Sequence, residues 1–375
     1  MNVDLLAKRQ PDFDNLRRAV LRQGPPGSVP FFELGAEPAI IGKVLGERVP
    51  LDYHIWGYPR TADLVAGVQT VQMFVEFYRK MGYDFVPMYA LFNLPRARAE
   101  TPDNEGEGWT DGIRVWQDET TGPIQSWEDF EKYHWPKPEE TDYSGLEFLN
   151  AIVPEGMKIC ANLLGILDNT TWLMGFQTFY YALYDQPDLV EAVMDKVTEL
   201  SVGATEHVVT IDNVEMVLIV DEMGYNKGTV LKPDMLRKYV YPRHRHLVDI
   251  THEAGKLFIL HSCGNLTAIM DEVIEAERFD AKHSFEDAIM PVEEVYRRWG
   301  DRTSVLGGVD MDILARGTEE QVRKRVRQIL DVCGQAGTGF CLGSGNSITN
   351  YIPVENYLAM LDEGHRWNRE HFGTT

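Results

Sequence analysis

Residues 256–265 read KLFILHSCGN. The run Lys256–Ser262 is short and apolar, and it gives way at Gly264 to a loop, with His261 and Cys263 beside the transition. A strand that delivers polar donors into a loop is the unit from which the rest of the chain can be read. Comparable β-rich runs occur at Val29–Leu34 (VPFFEL), Asp84–Tyr89 (DFVPMY), Met157–Leu163 (MKICANL) and Met216–Glu222 (MVLIVDE). They continue at Ala281–Phe285 (AKHSF), Ser304–Val309 (SVLGGV) and Gly339–Gly343 (GFCLG). Longer helical patterns separate them, the order expected of parallel strands joined by crossover helices. Eight such runs suffice to close a parallel barrel. The predicted fold is therefore an α/β, single-domain (β/α)8 TIM barrel spanning residues 1–375.

The helices between the runs carry their own signals. Leu64, Val65, Val68, Val71, Val75, Tyr78 and Met81 recur at helical spacing and stop at Gly82, which can take a left-handed cap. Val322, Val326, Ile329, Leu330 and Cys333 form a stripe behind Thr318, and Gln321 completes a capping box, so Cys333 reads as core. Pro291 opens another helix and Gly300 follows it, while Pro242 interrupts the pattern from Asp234 to Ala254. The segment 93–143 breaks the alternation. It is polar and turn-rich, holds Trp109, Trp116, Trp127 and Trp135, and reads as an insertion after the second strand.

Composition narrows the function. Lysine plus arginine number 36 against 58 aspartate plus glutamate, a net charge of −22 that repels phosphate backbones and anionic membrane surfaces, so nucleic acid is not an expected partner. No run approaches the ~20 apolar residues of a membrane span, and the first residues lack a signal-peptide core. A cytoplasmic protein, monomer or homodimer, is expected. Four cysteines, Cys160, Cys263, Cys333 and Cys341, are too few for a disulfide scaffold in 375 residues; thiols or metal ligands fit better.

In parallel barrels the reactive groups gather where strands end. Here those ends supply Glu33, Asp221 and Glu222, His261 and Cys263, Glu286 and Asp287, Asp310, and Cys341. His261 and Cys263, two positions apart, can point to one side of the sheet. With Cys341 they make a set of one nitrogen and two thiolates that suits zinc and leaves a position for substrate or a displaceable carboxylate. Glu222 is the first candidate for that carboxylate and Asp221 the second; Glu33, Tyr225 and Asn346 are candidate substrate contacts. Core packing is the alternative for each cysteine, and it suits Cys160, which alternates with apolar neighbours. His283 fits either a pocket wall or the core. Asp52–Gly57 (DYHIWG) has the spacing by which many corrinoid proteins offer a histidine to cobalt, but it precedes a barrel helix and lacks a doubly wound domain around it, so it reads as coincidence.

HSCGN at 261–265, DEMGYNKG at 221–228, GPIQSWEDFEKYHWPKPE at 122–139 and LGGVD at 306–310 resemble the uroporphyrinogen decarboxylase superfamily across nearly the whole chain. The His-x-Cys and distant cysteine are similar to the zinc site of its corrinoid-linked methyltransferase branch. The resemblance implies zinc on His261, Cys263 and Cys341, a corrinoid (cobalamin) carried by a partner protein, and transfer of a methyl group to or from a small ether, thioether, amine or alcohol. True uroporphyrinogen decarboxylases carry an arginine-rich motif after the first strand, whereas VPFFELGAEPAI has Glu33 and Glu37 and no arginine. Acidic walls disfavour a polycarboxylate substrate. Two rivals remain: a metal-free decarboxylase of a small acidic or tetrapyrrole-like substrate with Asp221 as the acid, and a non-catalytic binding module with a closed metal shell.

Overall fold

The structure is a computed structural model and describes residues 9–24, 27–50, 64–90, 94–95, 98–102 and 113–373. Among these residues the strands are β1 (Phe85–Tyr89), β2 (Arg98–Pro102), β3 (Ile113–Gln117), β4 (Lys158–Leu164), β5 (Val214–Val220) and β6 (Gly224–Tyr225). They continue with β7 (Gly228–Thr229), β8 (Leu257–His261), β9 (Ala281–His283), β10 (Ser304–Leu306) and β11 (Phe340–Cys341). Seven of them form one curled parallel sheet in the order β1-β4-β5-β8-β9-β10-β11. Sequential neighbours, each joined by a chain crossing that contains helix, are what the alternating pattern implies. β8 is buried along its whole length and β5 everywhere except Glu215, as a parallel sheet covered on both faces requires.

The first β-rich run, Val29–Leu34, differs from the others. It contains Pro30, which has no N–H to give a ladder, and it is extended chain rather than a full strand. It joins the β11 edge: Phe32 N donates to Leu342 O (2.8 Å), Leu342 N donates to Pro30 O (2.9 Å), and Phe31 bridges Leu342 in parallel. Toward β1 the Phe32 ring stacks on Phe85 at 5.3 Å, and from β4 Asn162 Nδ2 donates to Leu34 O.

The helical signals have direct counterparts. Leu64–Lys80 is helical, and Gly82 follows at φ 82°. Thr318 and Gln321 form the reciprocal capping box of helix Glu319–Cys333, whose stripe Val322, Val326, Ile329, Leu330 and Cys333 is buried. Each fully buried aliphatic side chain of this kind contributes ~1.5–3 kcal/mol. Gly300 caps helix Val292–Trp299, for which Pro291 is the N-cap. The stretch around Pro242 is two helices, Pro233–Tyr239 and Tyr241–Glu253, with Pro242 in the first turn of the second. Between β1 and β4 the described chain holds the antiparallel pair β2–β3 and the short helix Trp127–Lys132. The Asp52–Gly57 motif lies outside the described residues.

Candidate active site and metal centre

Glu222, His261 and Cys263 come together at the C-terminal ends of β5 and β8, each offering a ligand atom within 4.8 Å of the others. His261 Nε2 lies 3.4 Å from Glu222 Oε1 and 3.5 Å from Cys263 Sγ. Two glycines make this meeting possible. A Cβ on Gly264 would stand 2.3 Å from the Gly224 carbonyl carbon, and one on Gly224 would stand 2.8 Å from Cys263 O. With no Cβ in the way, the loops after β5 and β8 lie against each other, Asn265 N donates to Tyr225 O (2.9 Å), and Cys263 N donates to Glu222 Oε2 (2.5 Å).

The Glu222 and Cys263 donors are shifted in opposite directions for identifiable reasons. Burial alone would raise the Glu222 carboxyl, but the hydrogen bond and charge of His261 and the hydrogen bonds of Cys263 outweigh it and hold Glu222 below its ordinary range. Burial, reinforced by the Glu222 carboxylate, pushes the Cys263 thiol well up. Three groups oppose that rise or engage the sulfur: Ser284 Oγ and Asn346 Nδ2 each donate to Sγ at 3.4 Å, and the Lys282 ammonium lies nearby. Lys282 is buried beneath the site, donates to Ser262 O (2.9 Å) and Ser284 O (2.8 Å), and sits over the Phe285 ring at 4.4 Å. Burial lowers its pKa to about 8.

His261 is wired from behind. Its Nδ1 lies 2.7 Å from Nδ1 of His283, and Nε2 of His283 lies 3.1 Å from Ser344 O. A carbonyl can only accept, so His283 Nε2 carries the hydrogen. Burial, then the charge of His261, holds the His283 pKa well below its ordinary value, so this ring is neutral and its Nδ1 accepts from His261 Nδ1–H. In the neutral ring that metal ligation requires, the hydrogen of His261 is held on Nδ1 by His283, and the lone pair falls on Nε2, toward Glu222 and Cys263. An orienting partner on the far nitrogen is the arrangement of a metal-ligating histidine.

Three of the expected site residues stand elsewhere. Asp221 is fully buried and faces away from the mouth: its carboxylate accepts from Ile166 N, Leu167 N and Asp168 N at 2.8–3.0 Å, the N-terminus of helix Ile166–Met174, and lies 2.7 Å from His244 Nε2. It anchors a helix. Glu33 is also fully buried, with Ser344 Oγ 2.6 Å from its Oε1 and Ser344 N donating to Oε2 (3.3 Å). Cys341 is not among the donors that converge. Its buried thiol is raised by desolvation and by Asp84, which precedes β1 at the opposite end of the sheet. Ending a strand was not enough: Cys341 sits inside the ladder opposite Leu306, whereas Cys263 lies two residues beyond β8. Asn346 reaches Cys263, and Tyr225, 53% exposed, stands on the adjoining β6–β7 turn.

Several contributors escaped sequence reasoning. His283 was ambiguous, and Ser284 and Ser344 carry no motif. Lys282 had a signal, a lysine within a short buried run. Asp168, whose Oδ1 accepts from Glu222 N (3.2 Å), follows β4 at a strand end. Burial, with Asp221 and Glu222 nearby, raises its carboxyl well above the usual range.

Comparison with known proteins supplies the family. Residues 116–367 match the model of the uroporphyrinogen decarboxylase (URO-D) family. A methylcobamide:CoM methyltransferase MtbA of Methanosarcina mazei is 25% identical over 185 residues, 48% of this chain and 50% of that protein. A uroporphyrinogen decarboxylase of Cupriavidus pinatubonensis is 30% identical over 86 residues, 22% of this chain and 23% of that protein. The chain thus matches half or less of the length of these curated relatives. A solved methyltransferase from Methanosarcina mazei shares the fold, with a TM-score of 0.69 at 15% identity over 94% of this chain and 97% of that one. The family match runs through Glu222, His261, Cys263, Ser284 and Asn346, so the site built at these strand ends lies within the matched region, and the chain belongs to the uroporphyrinogen decarboxylase family.

Proposed function

We propose that the chain is a zinc-dependent methyltransferase that moves a methyl group between a small methylated substrate and a corrinoid carried by a partner protein. The observation that carries this reading is the His261 Nε2 lone pair, aimed by His283 at a point shared with Cys263 and Glu222. A nitrogen, a sulfur and a carboxylate oxygen form a set that suits zinc, and three protein ligands leave a position open. Bound zinc would supply Lewis acidity, either lowering a thiol's pKa or polarising the heteroatom of a methyl donor. His261, Cys263 and Glu222 would hold the ion. Asn346 and Ser284 temper the charge on the Cys263 sulfur, Lys282 adds positive charge beneath it, and Tyr225 and Asn346 flank the open side. The similarity to a methylcobamide:CoM methyltransferase supports the reaction class and the corrinoid partner. We read Val29–Leu34 as the eighth strand of a closed barrel and residues 93–143 as an insertion within one domain. No described helix is long and apolar enough to cross a membrane, and a cytoplasmic setting accords with reduced thiols at the site.

The test is metal content and methyl transfer on the same preparation. About one zinc per chain is expected, together with zinc-dependent exchange of methyl groups between methylcobalamin and small thiols, abolished by a chelator and restored by zinc. A chain that takes up no zinc would sink this reading, and decarboxylation persisting in chelator would install the metal-free alternative.

A further inference from the structure

Glu33 is a buried carboxyl that the proposed chemistry does not use. The Ser344 hydroxyl lies 2.6 Å from Glu33 Oε1 and 3.0 Å from Asn346 O, and Ser344 N donates to Glu33 Oε2. A serine hydroxyl carries one hydrogen, and Asn346 O can only accept. Both short contacts are hydrogen bonds only if a proton lies on Glu33: Glu33 O–H then donates to Ser344 Oγ, and Ser344 O–H donates to Asn346 O. An ionised Glu33 would claim the serine hydrogen and leave Asn346 O without this donor. Asn346 is the residue whose Nδ2 donates to Cys263 Sγ at 3.4 Å.

We propose that Glu33 carries a proton in the working protein and, through Ser344, positions Asn346 on the Cys263 sulfur. The inference rests in part on the reading above, which makes Cys263 a metal ligand, but the hydrogen-bond chain exists without metal. The surroundings agree with a neutral acid. Tyr78 of helix Leu64–Lys80, Tyr83 before β1 and Tyr357 of helix Val354–Phe372 face Glu33, and none brings positive charge. His283 of β9, beyond Ser344, is neutral. Burial pushes the Glu33 carboxyl up to about 8, against the opposing pull of Ser344. Glu33 is thus a positioning residue: it has no exposed surface and acts on the site through two others.

The test uses Glu33→Gln, whose amide reproduces the neutral acid by donating to Ser344 Oγ and accepting from Ser344 N, beside Glu33→Ala and Ser344→Ala. The first readout is alkylation of the metal-free protein by iodoacetamide, which reports Cys263 because the other three cysteines are buried. At pH 7 we expect Glu33→Gln to match wild type and the two alanine variants to react about fivefold more slowly, the worth of one lost hydrogen bond to the thiolate. Above pH 8 the wild type should fall behind Glu33→Gln by a similar factor. The second readout is the sulfur-to-metal charge-transfer band with cobalt(II) alone as probe, where the alanine variants should bind about tenfold more weakly and only wild type should lose affinity as pH rises through 8. Identical pH profiles for wild type and Glu33→Gln, or alanine variants that react like wild type, would overturn the inference. Failure of all forms to bind cobalt while the alkylation pattern holds would count against the metal reading and leave this one standing.

Discussion

His261 and His283 face each other through their Nδ1 atoms at 2.7 Å, and this contact decides which nitrogen of His261 looks into the site. Replacing His283 by Leu removes the acceptor, so the hydrogen of His261 is free to move to Nε2 and block the lone pair. Zinc affinity, read by competition with a chromophoric chelator, should fall about 10- to 100-fold. His283→Gln keeps an acceptor for His261 and a donor for Ser344 O and should recover most of the loss. Leu and Gln variants of equal affinity would show that the pair does not orient a ligand.

The ligand set separates the cysteines. Cys263→Ala and His261→Ala should each leave the purified chain without stoichiometric zinc, measured by elemental analysis. Cys341→Ala should keep its zinc and lose about 1 kcal/mol of stability through a small packing defect. Zinc lost from the Cys341 variant, with the fold intact by circular dichroism, would return that thiol to the site.

The anchor behind Glu222 is a stability device. His244 lies between Asp221 (2.7 Å) and Glu277 (3.1 Å), all three without exposed surface. Burial opposes its charge, but Glu277 and Asp221 outweigh this and raise its pKa to about 10. A histidine raised on folding stabilises fully below about 6.5, its ordinary value, and that stabilisation is lost as pH climbs through 10. His244→Gln should cost about 3–5 kcal/mol near pH 6, because it strands buried carboxylates. The gap to wild type, from urea midpoints, should narrow toward pH 10; a gap independent of pH would mean the imidazole is neutral throughout.

Glu33 loses its contribution in the same direction of pH, but replacing it should stabilise the chain near neutrality. Its carboxyl is raised from an ordinary value near 4.5 to about 8, so its favourable contribution is complete below 4.5 and lost as pH rises through 8. Glu33→Gln, which does not titrate, should therefore unfold like wild type near pH 4.5 and be more stable at pH 7 by about 3 kcal/mol. Denaturation curves at the two pH values decide it, and a variant no more stable at pH 7 would show that Glu33 ionises in the folded chain.

How much of this was legible beforehand follows from where the information resides. Lys256–Asn265 announced both a strand and its donors because a short apolar run and a glycine stop are local properties. The same holds for the Thr318–Gln321 box and the break at Pro242. His261, Cys263 and Glu222 could be named because short spacing on adjoining strand ends translates directly into proximity. The sequence puts Glu222 ahead of Asp221 as the carboxylate but keeps both in the site; neighbouring side chains diverge, and only the packed helix Ile166–Met174 shows that Asp221 is the one drawn away.

The sequence by itself determined the parallel α/β architecture, the strand ends that carry chemistry and the pairing of His261 with Cys263, because each depends on residues a few positions apart. Tertiary structure alone decided that Cys341 lies buried in the ladder opposite Leu306, that His283 meets His261 through Nδ1, and that Glu33 lies against Ser344, which in turn reaches Asn346 O. These relations join residues 22 to more than 300 positions apart, and they are fixed by how side chains pack across the sheet, which no local pattern encodes.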